Sequence, residues 1–153
     1  MNFFASMIKQ ISLLFLLLLG MASCQPKKEE QTKVALPKDS TLELLNARIS
    51  GDNKNPALYA KRAELWLNKG KSQLAFDDMT TAVRLDSLNY DYQFRFSEIS
   101  FLVGKSRQTK QALEKCLQIK PDDANARLKL AELYIYVKEY KKSLALLKEV
   151  TDA

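Results

Sequence analysis

Three glutamates fall 34 residues apart in this 153-residue chain, Glu64, Glu98 and Glu132, and each follows a basic residue by three places: Lys61, Arg95 and Lys129. On a helix that spacing puts both charges on one face. A column of carboxylates would grip a basic ligand, whereas carboxylates each paired with the neighbouring cation would only decorate a wetted surface, for about 0.2–0.5 kcal/mol apiece. Sequence alone leaves both readings open. Little other chemistry is provided for. Histidine is absent, the two cysteines, Cys24 and Cys116, are far apart, and there is neither a glycine-rich phosphate loop nor a serine nucleophile beside a base. The usual routes to hydrolysis, metal binding and phosphoryl transfer are therefore missing. The remaining carboxylate pairs, Asp77-Asp78 and Asp122-Asp123, are expected on an exposed helix face and in a turn. The expectation is a protein that is not an enzyme and takes no cofactor or metal.

The elements that position the glutamates repeat with the same period. Pro56 to Asn89 reads as one helix-turn-helix unit, and Tyr90 to Asp123 and Ala124 to Ala153 fall beneath it in register. Small residues align at Ala63, Ser97 and Ala131 and again at Ala75, Thr109 and Ser143. Leu65, Ile99 and Leu133 form an apolar row, and Met79, Leu113 and Leu147 another. Gly70 and Gly104 mark the turns, and Lys138 takes that place in the third unit. Asn55-Pro56 is a helix start, with asparagine as cap and proline where its missing donor costs nothing. Helices are predicted over 56–68, 72–85, 89–103, 106–119, 123–137 and 139–151. Ahead of them, Ser40-Thr41-Leu42-Glu43 has capping-box spacing, and a short helix over 41–50 should end at a left-handed Gly51 and cover the first repeat. No stretch alternates as a half-buried strand does.

This pattern resembles the tetratricopeptide repeat family, whose unit is two antiparallel helices touching at small residues, with a proline near the repeat end that Pro121 matches. Tyr59 matches the family's early aromatic, and Gln93 and Arg127 depart from it. The resemblance implies an all-α, right-handed solenoid of about three repeats, 56–89, 90–123 and 124–153, the last incomplete, behind a capping helix and loop at 40–55. It also implies a binding scaffold whose first helices line a concave groove. In that groove Glu64, Glu98 and Glu132 would form an acidic spine flanked by Leu67, Phe94, Phe101, Leu128, Ile135 and Tyr136. Such a groove suits an extended or helical peptide with apolar anchors and basic residues. Members that clamp C-terminal carboxylates use lysines and asparagines there, and these glutamates would repel such a ligand.

The amino-terminal stretch has a different task. Residues 1–23 carry one basic residue, Lys9, an apolar run from Ile11 to Leu19, and small residues leading to Cys24. The run is shorter than the roughly 20 residues that span a bilayer and reads as a secretory signal. Met21-Ala22-Ser23-Cys24 resembles the bacterial lipobox, which implies lipidation at Cys24; the alternative is an ordinary signal that a cysteine happens to follow. Several acyl chains would anchor the protein stably. Gln25 after the cysteine, by resemblance to Gram-negative lipoprotein sorting, favours the outer membrane, with its periplasmic or surface face undecided. Residues 24–39 form a lipidated start and a polar, proline-containing tether that buries too little to fold. Lys27-Lys28-Glu29-Glu30 reads either as a solvated linker or as a faint likeness to a surface-export signal.

The whole chain has a formal charge of +6, and removing the signal leaves 23 basic against 18 acidic residues. Spread over every helix, that excess argues against a nucleic-acid partner. Cys116 is expected to be a buried structural thiol, since it stands in register with Ala82 and Val150. The leading functional expectation is a lipid-anchored envelope scaffold for a protein or peptide partner of unknown identity. The alternatives are an electrostatic adaptor to anionic cell-wall or lipopolysaccharide surfaces, through Lys141-Lys142 and the tether, and a truncated fragment of a longer repeat lipoprotein. Leu144, Leu147 and Val150 recur at helical spacing, so docking or self-association at the C-terminal helix is a further expectation.

Overall fold

The repeating cap-helix-turn-helix pattern folds as seven helices in a computed structural model that describes residues 40–151. They are α1 (Ser40–Gly51), α2 (Pro56–Asn68), α3 (Ser72–Leu85), α4 (Tyr90–Leu102), α5 (Ser106–Ile119), α6 (Ala124–Tyr136) and α7 (Tyr140–Thr151). No strand occurs among the described residues. The predicted Cys24 lipidation, the 1–23 signal and the 24–39 tether lie outside the described residues, as do 152 and 153.

Each repeat's first helix starts the same way. Asn55, Asn89 and Asp123, one period apart, hold extended backbone and accept from the amides of Ala57, Tyr92 and Ala126. These caps satisfy amides that a helix leaves without partners. Each first helix also ends the same way. Lys71, Lys105 and Glu139 donate their amides to the carbonyls of Trp66, Ser100 and Tyr134 at 2.8, 2.7 and 2.7 Å, closing the turn behind a left-handed residue. That residue is Gly70 (φ 68°), Gly104 (φ 72°) and Lys138 (φ 64°). Lysine carries a Cβ into a conformation that glycine takes freely, so the third turn is strained where the first two are not.

Packing follows the aligned rows. Ala63, Ser97 and Ala131 are at most 1 % exposed, and Ala75, Thr109 and Ser143 at most 3 %. Absent bulk at these places lets paired helices approach. One core gathers Ala63, Ala75, Met79, Ala82, Phe96, Ile99 and Ala112, with Phe76 stacked on Phe96 at 5.4 Å. A second gathers Leu113, Cys116, Ala126, Leu130 and Leu133. The rows open toward α7, where Leu147 and Val150 are only half-buried.

Helix α1 is more than a lid. Leu45, buried on α2, stands one period before Met79 and two before Leu113, so α1 occupies the register of a repeat's second helix. The expected left-handed Gly51 is corrected: Gly51 is the last residue of the helix itself. The expected capping box rests on the Ser40 side chain, which is not among those described.

A second correction concerns Asp78, which the sequence placed on an exposed face. It is 6 % exposed. Arg62 on α2 grips it with two bonds, Nε to Oδ2 at 2.8 Å and Nη2 to Oδ1 at 2.7 Å. The third arm of the same guanidinium donates to Asn46 Oδ1 on α1 at 2.7 Å. One planar fork thus ties three helices together.

Candidate peptide groove

The first helices α2, α4 and α6 carry the groove residues anticipated from sequence, and solenoid packing sets them side by side. Glu64 and Leu67 of α2 face Phe94 of α4 across a hollow of about 320 Å³, which Tyr92 and Arg95 also line. A smaller hollow of about 90 Å³ lies between Glu98 and Phe101 of α4 and Glu132 of α6. Leu128 and Glu132 line a third with Phe94. A fourth is walled by Phe101, Leu128, Glu132, Ile135 and Tyr136. Phe94, Phe101, Leu128 and Glu132 each belong to more than one hollow, so the four adjoin as steps of a single track.

The apolar steps are presented to solvent. Leu128 is 43 %, Ile135 52 % and Tyr136 62 % exposed. Phe101 meets Tyr136 edge to face at 5.3 Å, and Phe94 stacks on Tyr90 at 5.8 Å, so the aromatic rings are braced by neighbours. Rigid aromatics at partial exposure supply contact area at small entropic cost.

The charges are arranged differently from a simple column. Lys129 and Glu132 pair within α6 at 3.0 Å, the spacing read from sequence. Arg95 instead reaches back to Glu64 of the preceding repeat at 3.8 Å. Glu98 has no ion pair among the described residues. Both pairs are about half exposed, so each contributes well under about 1 kcal/mol and yields readily to a ligand's charge.

Two features escaped the sequence. Asp91 and Tyr92 line the first hollow, and neither lies in the glutamate or apolar rows. The departures from the family aromatic are also explained. Tyr59 donates to the Asn53 carbonyl at 3.1 Å, Gln93 to Ser87 at 3.0 Å and Arg127 to Pro121 at 2.7 Å. Each donor lies six residues after its acceptor, so three side-chain types perform one role.

The junction between the second and third repeats is a half-buried polar knot. Tyr90 Oη donates to Asp123 Oδ2 at 2.7 Å, and Lys120 Nζ sits 3.9 Å from the centre of the Tyr90 ring. Burial and the Asp123 carboxylate push the Tyr90 hydroxyl up. Burial alone would raise Asp123, but the Ala126 amide, the Tyr90 hydroxyl, the Asn125 amide and Lys120 outweigh it and hold the carboxyl below its ordinary value. Cys116 is fully buried against this knot, its Sγ 3.9 Å from the Tyr90 carbonyl. Burial first, then Asp123, pushes the thiol up to about 12, which makes it an inert packing group.

The tetratricopeptide repeat family profile matches residues 102–153. Solved structures of MamA superpose on most of the chain. One crystal structure of MamA has a TM-score of 0.67 at 16 % identity, covering 72 % of this chain and 65 % of that one. A second has a TM-score of 0.68 at 19 % identity, covering 78 % and 65 %. A MamA structure labelled AMB-1 gives 0.66 at 15 % identity, covering 72 % and 61 %. The fold is that of a tetratricopeptide-repeat solenoid. The chain spans just under two thirds of the length of these MamA chains, and at such identities the likeness is one of fold. No curated protein sequence matches the chain. Among the described residues of this solenoid, no helix is long and apolar enough to cross a membrane.

Proposed function

We propose that this chain is a scaffold of the bacterial cell envelope, anchored to the outer membrane by lipid on Cys24, which binds a peptide segment of another protein along its first helices. One observation carries the binding half of the reading: nine side chains drawn from three helices in three repeats line adjoining hollows in which apolar walls alternate with carboxylates. A ligand fitting that track has apolar anchors for the Phe94, Leu128 and Ile135 steps and a basic residue for Glu98. Support for the anchor comes from the run Met21-Ala22-Ser23-Cys24 and the polar segment behind it. The reading assigns no catalysis to the chain.

The test combines Glu64→Lys, Glu98→Lys and Glu132→Lys in one variant. Because the two ion pairs involved are exposed, melting should change by no more than about 1 kcal/mol per site. Partner capture from intact cells should fall at least tenfold. Unchanged capture by a folded variant overturns the groove. The anchor is tested separately, by the mass of the mature amino terminus and by membrane partitioning of Cys24→Ser, and an unacylated terminus overturns it.

A further inference from the structure

Successive helices are joined by turns of three or four residues and run antiparallel, so the turns fall alternately on two edges of the solenoid. The turns inside the repeats, each taken with the first two residues of the helix that follows, are 69–73, 103–107 and 137–141. They hold six basic residues against one acidic, Glu139. The turns ahead of each repeat, taken the same way, are 52–57, 86–91 and 120–125, and they hold two basic residues against five acidic. Charge that is spread over every helix in the sequence is thus sorted by edge in the fold. Lys71, Lys105, Arg107, Lys138 and Lys141 are all exposed, and none has an ion pair among the described residues.

Two observations set the basic edge apart from an ordinary wetted surface. Its charges oppose local helix stability, because a helix start carries the positive end of the dipole and favours carboxylates. Yet α3, α5 and α7 have no acidic residue in their first turns, and Lys71 and Lys105 occupy the cap positions of α3 and α5 without a side-chain cap bond. Lys138 stands where the other two repeats have glycine. On the opposite edge the cap positions hold Asn55, Asn89 and Asp123, each of which caps its helix. The second observation is where the chain enters. Helix α1 has the register of a second helix, so Ser40 begins it on this same basic edge, and the 39 residues ahead of it join there. Leu74 and Leu102, 43 % and 62 % exposed, lie at this edge too, although a further repeat follows each of them.

We infer that the edge formed by the turns at 69–73, 103–107 and 137–141 lies on an anionic phospholipid surface, with its cations on lipid phosphates and Leu74 and Leu102 among the headgroups. Basic residues near such a bilayer are drawn by its surface potential, and lysine and arginine stems cover apolar ground while their charged ends stay in the polar layer. In this contact the helix axes stand off the surface, the peptide track runs parallel to it, and the acidic edge points away. The inference does not rest on acylation of Cys24.

Both cores and all seven helices lie within residues 40–151, so a chain of residues 38–153, which lacks Cys24, folds and tests the edge apart from the anchor. Co-sedimentation with vesicles is the measurement. Vesicles of phosphatidylethanolamine and phosphatidylglycerol should take up this chain saturably, and vesicles of phosphatidylcholine alone at least tenfold less. Lys71→Glu, Lys105→Glu and Lys141→Glu combined should lower the affinity for the anionic vesicles at least tenfold. Lys54→Glu, Arg84→Glu and Lys148→Glu combined change the net charge equally but lie off that edge, and should leave binding near the parent's. All six residues are exposed, and a carboxylate at a helix start suits the dipole, so the first variant should melt no lower than the parent. None of the six lines the four hollows, so a failure here leaves the groove reading standing. Absence of uptake, uptake that ignores lipid charge, or unchanged uptake of the first variant overturns the inference. So do equal losses in the two variants, which would make net charge responsible, and displacement by glycerol phosphate, which would make the ligand a free phosphate.

Discussion

Lys138 does with strain what Gly70 and Gly104 do without it. Its φ of 64° closes the same turn, with the Glu139 amide on the Tyr134 carbonyl at 2.7 Å, so the geometry is imposed by the hairpin and not by the residue. Lys138→Gly should therefore raise stability by about 0.5–1 kcal/mol, the left-handed penalty less the entropy glycine gains when unfolded. Thermal melting checks it, and an unchanged or lower midpoint would show that the lysine is not strained. Period and identity made this residue visible in the sequence, because the turn position could be counted from two glycines. Gln93 and Arg127 were not legible in that way. They replace an aromatic by residues of different shape, and only the shared acceptor position, at Ser87 and Pro121, reveals that a hydrogen-bond donor is what the site requires.

Among the helices, partner choice was the least readable feature. Helix bounds emerged from caps and small-residue rows because those are local signals. Asp78 looked exposed because its partner, Arg62, lies 16 residues away on a different helix and declares itself only after α2 and α3 pack. Arg95 faced two glutamates and took the one across the repeat boundary, a choice set by how α4 lies against α2. Asp78→Ala leaves the Arg62 guanidinium, 20 % exposed, without its carboxylate, and removal of one partner of such a pair costs about 3 kcal/mol. The expected outcome is a midpoint shift of that size in urea, with faster amide exchange in α1 as the Asn46 contact loosens. A shift below about 1 kcal/mol would mean that the fork does not hold the helices together. The Tyr90–Asp123 knot between α4 and α6 makes a prediction in pH. Asp123 titrates below its ordinary 3.8 when folded, so its contribution is fully present above that value and is lost as pH falls through the folded value. Asp123→Asn should flatten the loss of stability below about pH 4, and an acid-unfolding curve identical to the parent's would contradict the assignment.

At the scale of the molecule, the solenoid converts a sequence period into a surface. Glu64, Glu98 and Glu132 are 34 residues apart in the chain, yet they line adjoining hollows because every repeat is laid against the last in the same way. The central claim is that this surface, and not the outer helices, meets the partner. Photo-crosslinking in intact cells tests it most directly, with a photoreactive residue at Leu128 on α6 in one strain and at the exposed Gln111 on α5 in another. Leu128 should capture one discrete partner, and adding Glu98→Lys should reduce that capture at least tenfold, while Gln111 captures none. Equal capture of the same protein from both positions, or capture from Leu128 that ignores Glu98→Lys, would contradict the account.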